Sequence, residues 1–537
     1  MPLVPLAPKV SAATSPLVSL SIENLFPPDL AQLIAKLHVE YQKERVRLLA
    51  QRKIRQDKFD SGDLPQFANK SSQAVSEKWM VAPIPKDLQT RRVEITGPVN
   101  DAKMAINMLN RNSEGHRADT AMLDFEDSMR PTWGNVLSGY QNIRAICAGD
   151  LTFIKVKDAD SPEKIYQLNS EDMAHPMIRV RGLHLLESNF LVDGEAVSAG
   201  LLDLVTCAYF TAKDFIKQGK TAKYYVPKCE HFEEARWWHD LFSSIEKELY
   251  LPHASLRVTF LIETLPAAYL MEEILYEIKD RAVALNVGRW DKIFSDIKIL
   301  REHKDRIAPD RASIGMDRSW MENYARRLVK ICHSRGAMAI GGMSAATPGK
   351  DKKIREAQMQ KVLQDKEREY RLGHDGCWVS HPYFINIAMS AFKNNSQIEK
   401  KCEDFDKYPD LLMKGLGPYT LSGLRTNLRV GIAYLKGWNQ GLGCISFDHL
   451  MEDLATLEIS RVQTWQWLHH NIKLDDGKVV THELVSKIFE EELDKILSEI
   501  DSRENPEDYK IAKEQALILF TKSKLDNFLC EVSPKAF

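Results

Sequence analysis

The stretch RVTFLIETLPAAYLMEEILYEIKDRAVALNVGRWD, residues 257–291, decides the fold of this chain. It opens with an apolar, β-branched run that ends on Glu263, continues with apolar residues at helical spacing, and closes with a second apolar run that leads to Asp291. A strand, a helix and a strand of these lengths predict a βαβ unit with parallel strands and a right-handed crossover. Because parallel strands end at the same edge of a sheet, we expect Glu263 and Asp291 to lie side by side.

Two carboxylates beside a glycine-containing loop suit a hard divalent cation such as Mg²⁺. A structural interpretation competes with this one, because an acidic residue just past a strand is commonly a helix N-cap or a solvated loop residue. Thr264 or Asp291 could serve as that cap. The unit by itself leaves both interpretations open.

From Arg91 onward, strand-like runs alternate with helical patterns. The runs are RRVEITGP, TAMLDFED, PMIRVRG, KYYVPKCE, RVTFLIET, AVALNVG, AMAIGGM and CWVSHP. Regular alternation over eight repeats predicts an α/β fold, a closed (β/α)8 TIM barrel. After about Asp410 the patterns become helical only, with one helix expected around GLRTNLRVGIAYLKGW and another from Asp448 to His469.

Composition and charge argue against several classes of protein, including nucleic-acid-binding and membrane-spanning proteins. A net charge of −2 and a pI near 6.8 give no electrostatic basis for binding nucleic acid or an anionic membrane. No apolar run reaches the roughly 18 residues of a membrane span. The eight cysteines lack CxxC spacing, which indicates free thiols in a reducing compartment. We therefore expect a cytoplasmic protein; a peroxisomal one is left open, although the chain ends in Lys-Ala-Phe and not Ser-Lys-Leu.

Several predicted strands end in chemically useful side chains. These are Asp124, Glu126, Asp127, Arg181, Lys228, Glu263, Asp291 and His381. Barrel enzymes build their active sites at this edge. The converging carboxylates would repel one another without a cation to offset their charge, and this is the main argument from the residues for a metal.

Two further residues have both a functional and a structural interpretation. Arg181 could stabilise a developing oxyanion or enolate, or could form a structural ion pair, and the sequence favours neither. Asp453 lies near the start of a helix in LMEDLATLEIS, where most aspartates simply interact with the helix dipole. The GRWD loop offers backbone N–H groups that could hold a small carboxylate next to the metal.

The chain resembles a known family, malate synthase of the shorter A type. The matching stretches include RRVEITGPVNDAKMAINMLN, LDFEDSMRPTW, RVRGLHLLE, KYYVPKCEHFEEARWW, LIETLPAAYLMEEILYEIKDRAVALNVGRWDKIFSDIK, RGAMAIGGMSAATPGKD and LMEDLATLEISRVQTWQWL. They follow the family's order from about residue 80 to residue 470, so the resemblance is not that of a single motif.

The resemblance implies a role for each matching residue. The catalytic base corresponds to Asp453 and the catalytic arginine to Arg181. The Mg²⁺-binding carboxylates correspond to Glu263 and Asp291, with Glu126 and Asp127 behind them. The loop that holds glyoxylate corresponds to Gly288, Arg289, Trp290 and Asp291, and contacts with CoA are expected at Ser128 and Pro348.

The resemblance also implies an organisation and a reaction. Residues 1–90 would form an N-terminal arm and helical clasp, residues 91–410 the barrel, and residues 411–537 an all-helical plug. Within the barrel, the stretch LTFIKVKDAD by itself predicts an inserted hairpin around residues 150–176. The reaction would be the Mg²⁺-dependent condensation of acetyl-CoA with glyoxylate, followed by hydrolysis of malyl-CoA to malate and CoA, in the glyoxylate cycle. A malyl- or citramalyl-CoA lyase is the rival enzyme, and a non-catalytic scaffold is the alternative of a different class. The oligomeric state stays open.

Overall fold

The computed structural model describes residues 8–13, 22–69, 71–157, 163–349 and 351–529. The predicted N-terminal arm falls partly outside these ranges, and Cys530 and the C-terminal tripeptide fall outside them entirely. The strands are β1 (Val10–Ala12), β2 (Val93–Pro98), β3 (Thr120–Asp124), β4 (Thr152–Lys155), β5 (Lys164–Gln167), β6 (His175–Arg179), β7 (Leu186–Val192), β8 (Glu195–Ser198), β9 (Ala222–Val226), β10 (Leu256–Ile262), β11 (Ala282–Val287), β12 (Met338–Ser344), β13 (Gly376–Val379), β14 (Ile445–Phe447) and β15 (Leu450–Glu452).

Helices cover much of the remaining chain. They are α1 (Ile22–Leu25), α2 (Pro28–Asp60), α3 (Gln73–Ser76), α4 (Ala102–Leu109), α5 (Trp133–Ala148), α6 (Ala199–Lys217), α7 (Phe232–Glu248), α8 (Leu265–Tyr269), α9 (Met271–Glu277), α10 (Arg289–Ile299), α11 (Ser319–Ser334), α12 (Lys352–Leu372), α13 (Ile385–Ala391), α14 (Leu421–Asn439), α15 (Leu454–His469), α16 (His482–Glu499) and α17 (Pro506–Phe520). Short 3-10 helices occupy Lys86–Leu88, Lys304–Arg306, Arg311–Ser313 and Pro382–Phe384.

Eight strands close into a barrel in the order β2, β3, β6, β9, β10, β11, β12, β13. They are the eight runs that the sequence predicts, so the TIM barrel is confirmed. All eight neighbouring pairs are parallel, including β13 with β2, where Cys377 lies opposite Val93. Nearly every strand residue is buried, as expected where helices cover the outside of a parallel sheet.

The βαβ unit at residues 257–291 brings two strand ends to the same level. Ile262 of β10 pairs with Val287 of β11, so the next residues, Glu263 and Gly288, leave the barrel together. The single predicted crossover helix is two helices, α8 and α9. Thr264 caps α8 by accepting a hydrogen bond from the Ala267 backbone N–H, at 3.3 Å. The cap is therefore Thr264, and Glu263 is free for another role.

The long helix α2 lies against the outside of the barrel. Two buried arginines on it reach into the barrel layer: Arg45 Nε donates to the Leu183 carbonyl at 2.7 Å, and Arg52 makes a two-pronged pair with Glu234. Apolar periodicity in residues 28–56 predicts one or two helices here, and the structure has one. Through Arg45, helix α2 fixes the position of the segment that follows β6.

The C-terminal helices build a separate hydrophobic core. Leu428, Trp467, Phe489 and Phe520 lie at its centre and are fully buried. The prediction of helix alone in this region is wrong at residues 445–452, where β14 and β15 form an antiparallel hairpin. Its turn residues, Asp448 and His449, have φ values of 45° and 65°, as a two-residue hairpin turn requires.

The hairpin determines where the following helix begins. The helix predicted from Asp448 begins at Leu454, with Asp453 as its N-cap. Met451 N–H donates to the Ala345 carbonyl at 2.8 Å, which ties the hairpin to the loop after β12. Asp453 is thereby anchored to the barrel rim.

The segment between α5 and β6 contains a second hairpin. Strands β4 and β5 pair antiparallel, with Thr152 opposite Gln167, and residues 158–162 between them lie outside the described residues. Within the described part of the chain, no helix has the length and apolar character to cross a membrane. The seven cysteines in that part are free thiols.

Candidate active site

Glu263 follows β10 at the carboxyl end of the barrel and is fully buried. Its Oε1 accepts a hydrogen bond of 2.7 Å from the Lys228 backbone N–H, while its Oε2 has no hydrogen-bond partner among the described residues. Gly288 permits this position, because a Cβ built at Gly288 would stand 2.2 Å from the Glu263 Cβ. The glycine in GRWD therefore makes room for the carboxylate.

The ammonium group of Lys228 lies among three other buried carboxylates. Its Nζ is 2.6 Å from Asp127 Oδ2, 3.2 Å from Glu126 Oε2 and 3.3 Å from Asp291 Oδ1. Lys228 has a φ of 51°, a left-handed conformation that is uncommon outside glycine. This backbone shape directs the Lys228 N–H to Glu263 and its side chain to the other acids.

The cluster carries an excess of negative charge. Burial, and then the charge of Asp127, raise the pKa values of Glu126 and Asp291 well above the usual range. Burial also raises the pKa of Glu263. Burial alone would lower the pKa of Lys228, yet Asp127, Asp291 and Glu126 together hold it well above its usual value. The lysine is therefore an ammonium ion, and it does not offset all of the carboxylates.

Arg179 is the arginine at this cluster, not Arg181. Its Nε and Nη2 bind Asp124 at 2.7 Å and 2.5 Å, and its Nη1 is 3.6 Å from Glu126 Oε2. Both Arg179 and Asp453 line the cavity that Glu263 and Asp291 line, which we call the catalytic cavity; its volume is about 30 Å³.

Arg181 is held by a different pair of acids. Its Nε and Nη2 bind Asp203 of α6 at 3.0 Å and 2.8 Å, and its Nη1 binds Glu187 of β7 at 2.7 Å. The prediction that Arg181 is the catalytic arginine conflicts with this geometry, since its donors are used in a buried structural ion pair. Arg179 ends β6 and lines the catalytic cavity, whereas Arg181 binds Asp203 of α6 through both its backbone N–H and its side chain and lines a neighbouring cavity.

Asp453 reaches the catalytic cavity from the C-terminal domain. Its Oδ1 accepts from the Thr456 backbone N–H at 3.2 Å, and the Thr456 hydroxyl in turn accepts from the Asp453 N–H at 3.0 Å. This capping box fixes the side chain. Burial, and then the charge of Asp127, raise the pKa of Asp453 to about 7.

The residues of GRWD form the start of α10, with Gly288 as the N-cap. All four, Gly288, Arg289, Trp290 and Asp291, line the catalytic cavity. The free backbone N–H groups at a helix N-terminus favour a bound carboxylate. Arg289 stacks on the Trp290 ring, 4.7 Å from its centroid.

The two residues expected to contact CoA differ in position. Ser128 lines the catalytic cavity, and its hydroxyl donates to Asp124 Oδ2 at 2.5 Å. Pro348 is half-buried in the loop after β12 and is not part of the cavity wall. Its role as a CoA contact stays a prediction.

The donor set at the rim fits a hard cation. The protein offers Glu263 and Asp291, each with an oxygen that lacks a hydrogen-bond partner among the described residues. No group of three or more His, Cys, Asp or Glu in the described chain is arranged to hold a metal ion by itself. Mg²⁺ is often held by only one or two carboxylates, with waters and substrate oxygens completing its shell. Glu263 Oε2, which has no hydrogen-bond partner among the described residues, and Asp291 Oδ1, which is 3.3 Å from the Lys228 ammonium, meet that requirement in a cluster short of positive charge.

Sequence reasoning named most of this site and missed two features. In IRVRGLH the arginines at 179 and 181 share strand parity, so alternation could not choose between them. The buried acid Asp203, in the otherwise apolar run LLDLV, was a signal that a nearby cation needed a partner. Lys228 was named as a strand-end residue, but its place among the acids depends on four strands and was not foreseeable.

Comparison with known proteins agrees with this geometry. Residues 176–411 match the family model "Malate synthase, TIM barrel domain", and residues 419–534 match "Malate synthase, C-terminal". Malate synthase A of Escherichia coli (strain K12) is 38% identical over 485 residues, covering 89% of each chain. The chain belongs to the malate synthase family.

Other malate synthases are similarly close. The Myxococcus xanthus enzyme is 41% identical over 482 residues, which cover 89% of this chain and 87% of that one. The glyoxysomal malate synthase of Glycine max is 38% identical over 522 residues, or 94% of this chain and 91% of its own. Family membership thus extends over both the barrel and the helical domain that carries Asp453.

Proposed function

We propose that this chain is a malate synthase, which condenses acetyl-CoA with glyoxylate and hydrolyses the malyl-CoA formed to malate and CoA in the glyoxylate cycle. One observation carries the proposal. A single buried cavity contains the carboxylates of Glu263 and Asp291, each with an oxygen that accepts no hydrogen bond from the described residues, the guanidinium of Arg179, and Asp453 from the C-terminal segment. A carbon–carbon bond-forming step needs these three functions: an electrophile holder, an enolate stabiliser and a base.

Glu263 and Asp291 are the residues that would hold Mg²⁺. When bound, the ion would supply Lewis-acid polarisation of the glyoxylate aldehyde. Lys228 keeps both acids in place, through its backbone N–H and its ammonium group. The N-terminus of α10 would orient the glyoxylate carboxylate, with Gly288 giving the closest approach.

Asp453 is the base in this proposal. It removes a proton from the acetyl methyl group, and the C–H electron pair moves into the enolate, with charge on the thioester oxygen. A pKa of about 7 makes it a stronger base than an ordinary aspartate. Its capping box holds the carboxylate in one orientation, so little is lost in ordering it for reaction.

Arg179 stabilises the enolate oxygen. Its Nη1 lies beyond hydrogen-bond length from Glu126 and Asp127, so that nitrogen can donate to an oxygen in the cavity. Asp124 fixes the guanidinium plane through two hydrogen bonds. The enolate carbon then bonds to the aldehyde carbon, and the former aldehyde oxygen takes up a proton to become the hydroxyl of malyl-CoA.

We assign the CoA side of the cavity to the surface near Ser128 and Pro348, and we place the protein in the cytoplasm, a reducing compartment that suits its free cysteines. The proposal includes small-molecule substrates only, with no nucleic acid and no membrane partner.

Asp453→Asn tests the proposal directly. The amide keeps the shape and the helix cap but cannot accept the methyl proton, so turnover should fall at least roughly 1,000-fold. A coupled assay of CoA release from acetyl-CoA and glyoxylate measures it. Asp448→Asn is the matched control, because that exposed aspartate, in the hairpin that precedes Asp453, pairs with Arg429 and is not part of the cavity wall.

The assay also separates the rival enzyme. A lyase would leave malyl-CoA intact, whereas a malate synthase releases free CoA. Full turnover by Asp453→Asn would refute the assigned base, and no product of either kind from the wild-type chain would refute the function.

A further inference from the structure

A second small cavity adjoins the catalytic cavity, and Asp127, Asp291 and Ala455 line both. We call it the rear cavity. Its other walls include Glu126, His184 and Phe528. Its volume is about 20 Å³, enough for one water molecule, which needs roughly 10–15 Å³ measured this way.

Two buried polar atoms that lack hydrogen-bond partners among the described residues meet at this cavity. They are Glu126 Oε1 and His184 Nδ1. A Cβ built on Gly182 would lie 3.3 Å from the first and 2.7 Å from the second, so both face the space that the glycine leaves open. The two atoms are no more than roughly 6 Å apart, a span that one bridging water covers.

The imidazole of His184 suits such a role. Burial, and then the charges of Arg52 and Lys228, hold its pKa well below the usual value, so the ring is neutral. A neutral ring offers one nitrogen as acceptor and one as donor. A water would therefore satisfy Nδ1 in either tautomer.

A third, larger cavity continues outward from the rear one. Its volume is about 410 Å³, and His184 and Phe528 line both it and the rear cavity. The rings of His184 and Phe528 lie 4.5 Å apart. Leu529 N–H donates to Glu458 Oε1 at 2.7 Å, and this bond anchors the Phe528 segment to α15. The two rings separate the inner cavity from the outer one.

We propose that the rear cavity binds the water that hydrolyses malyl-CoA, and that this water enters from the outer cavity between His184 and Phe528. The inference rests on the proposed function. The water oxygen bonds to the thioester carbonyl carbon, and the C–S bond breaks with its electron pair on sulfur. One water proton ends on that sulfur as the CoA thiol, and the other is released when the new carboxyl group ionises.

This arrangement keeps water out of the condensation step and supplies it for the hydrolysis step. The enolate must form away from loose water, and hydrolysis needs one water close by. A water held behind Asp127 and Asp291 adjoins the catalytic cavity but lies off the walls formed by Arg179 and Asp453, where the enolate would form.

His184→Phe tests the inference. It removes the polar nitrogen and keeps a ring against Phe528. With malyl-CoA supplied as substrate, hydrolysis should slow roughly tenfold, the effect of losing one hydrogen bond to the water. In a single turnover with acetyl-CoA and glyoxylate, chromatography should show malyl-CoA accumulating while acetyl-CoA is consumed at the wild-type rate.

Two further variants make the result specific. His184→Gln returns a polar group and should recover most of the hydrolysis. Phe294→Leu is the packing control, since Phe294 contacts the Phe528 ring, 5.4 Å away, from outside both cavities; it should leave the ratio of malyl-CoA to CoA unchanged.

The outcomes are distinguishable. Equal slowing of condensation and hydrolysis in a His184→Phe protein with a wild-type melting temperature would overturn the inference, as would hydrolysis at the wild-type rate. If His184→Phe does not fold, Phe528→Trp decides: a larger ring between the cavities should also slow hydrolysis selectively, and unchanged hydrolysis would refute the route. A wild-type chain that consumes no acetyl-CoA in the presence of glyoxylate would instead refute the proposed function.

Discussion

Two groups of buried charged residues occupy the same barrel, and they differ in how their charges are satisfied. In the interior, Arg91 Nε binds Glu94 Oε1 at 2.6 Å, and Arg91 Nη2 binds the Tyr225 hydroxyl at 2.8 Å. Tyr225 and Trp378 complete the set by donating to Glu94 Oε2 at 2.5 Å and 3.1 Å. Every charge there has its partner.

At the rim the charges are only partly satisfied. Glu126, Asp127, Glu263 and Asp291 all keep carboxylate oxygens without hydrogen-bond partners among the described residues, although they are as deeply buried. A satisfied network stabilises one structure, whereas an acid-rich network with unsatisfied oxygens lowers stability until a ligand binds it. The interior residues therefore stabilise the barrel, whereas the rim residues are suited to bind a ligand.

The largest expected effect is the loss of stability on breaking the interior network. Glu94→Gln leaves the Arg91 guanidinium buried without a counter-charge and should lower the free energy of unfolding by roughly 3–5 kcal/mol. Glu263→Gln at the rim is the matched substitution, and in metal-free protein it should leave stability unchanged or raise it, because it reduces repulsion. Urea unfolding of both variants measures this. Equal losses of stability would erase the distinction between the two groups.

The next prediction compares the two arginines of RVR. Arg179→Lys keeps the charge but loses the planar donors, so kcat should fall roughly 100- to 1,000-fold, as on removal of an oxyanion donor. Arg181→Lys disrupts the pair with Asp203 and Glu187, and should lower the melting temperature while the folded protein stays active. Steady-state kinetics and thermal unfolding of both variants decide the matter. The reverse pattern would restore Arg181 as the catalytic arginine.

Binding of Mg²⁺ should satisfy the rim and stabilise the fold. At 100 times its dissociation constant the ion should add roughly 2.7 kcal/mol to the free energy of unfolding, seen as a rise in melting temperature. Removal by EDTA should stop turnover, and added Mg²⁺ should restore it. Glu263→Gln should abolish the thermal shift, whereas Asp448→Asn should keep it. A full shift in Glu263→Gln would place the ion elsewhere.

The smallest effect concerns pH. Asp453 must be ionised to accept a proton, and its pKa in the free protein is raised to about 7, so kcat/KM should fall roughly tenfold for each pH unit below 7. Stability should change in the other direction: a carboxyl whose folded-state pKa exceeds the unfolded value favours folding when protonated, so Asp453 stabilises the metal-free protein as pH falls from 7 towards 4. A flat pH profile of kcat/KM between pH 5 and 8 would contradict the assignment.

Much of the fold was predictable because its determinants are local. Each barrel strand is a short apolar run bounded by turn residues, and eight of them alternating with helices permit few architectures. The hairpin at β14 and β15 was missed because Asp448 and His449, the turn residues with positive φ, lack the glycine that usually marks such a turn. The helix that the sequence predicts from Asp448 therefore begins at Leu454 in the structure.

The division into residues 1–90, 91–410 and 411–537 stays a prediction, as do the CoA contacts at Ser128 and Pro348. The domain boundaries and the CoA contacts depend on how separate elements pack against one another. Sequence periodicity predicts only single helices and strands.

Local patterns in the sequence were enough to predict the barrel, the rim at which its acids collect, and the placement of Glu263 and Asp291 at one cavity, because strand alternation and the parallel βαβ unit are local features. Tertiary structure alone decided which arginine faces the cavity, that Lys228 stands among the acids, and that Asp453 comes from a distant domain to meet them. These facts depend on contacts between residues far apart in the chain, where burial and unpaired charge, and not spacing, determine what each group can do.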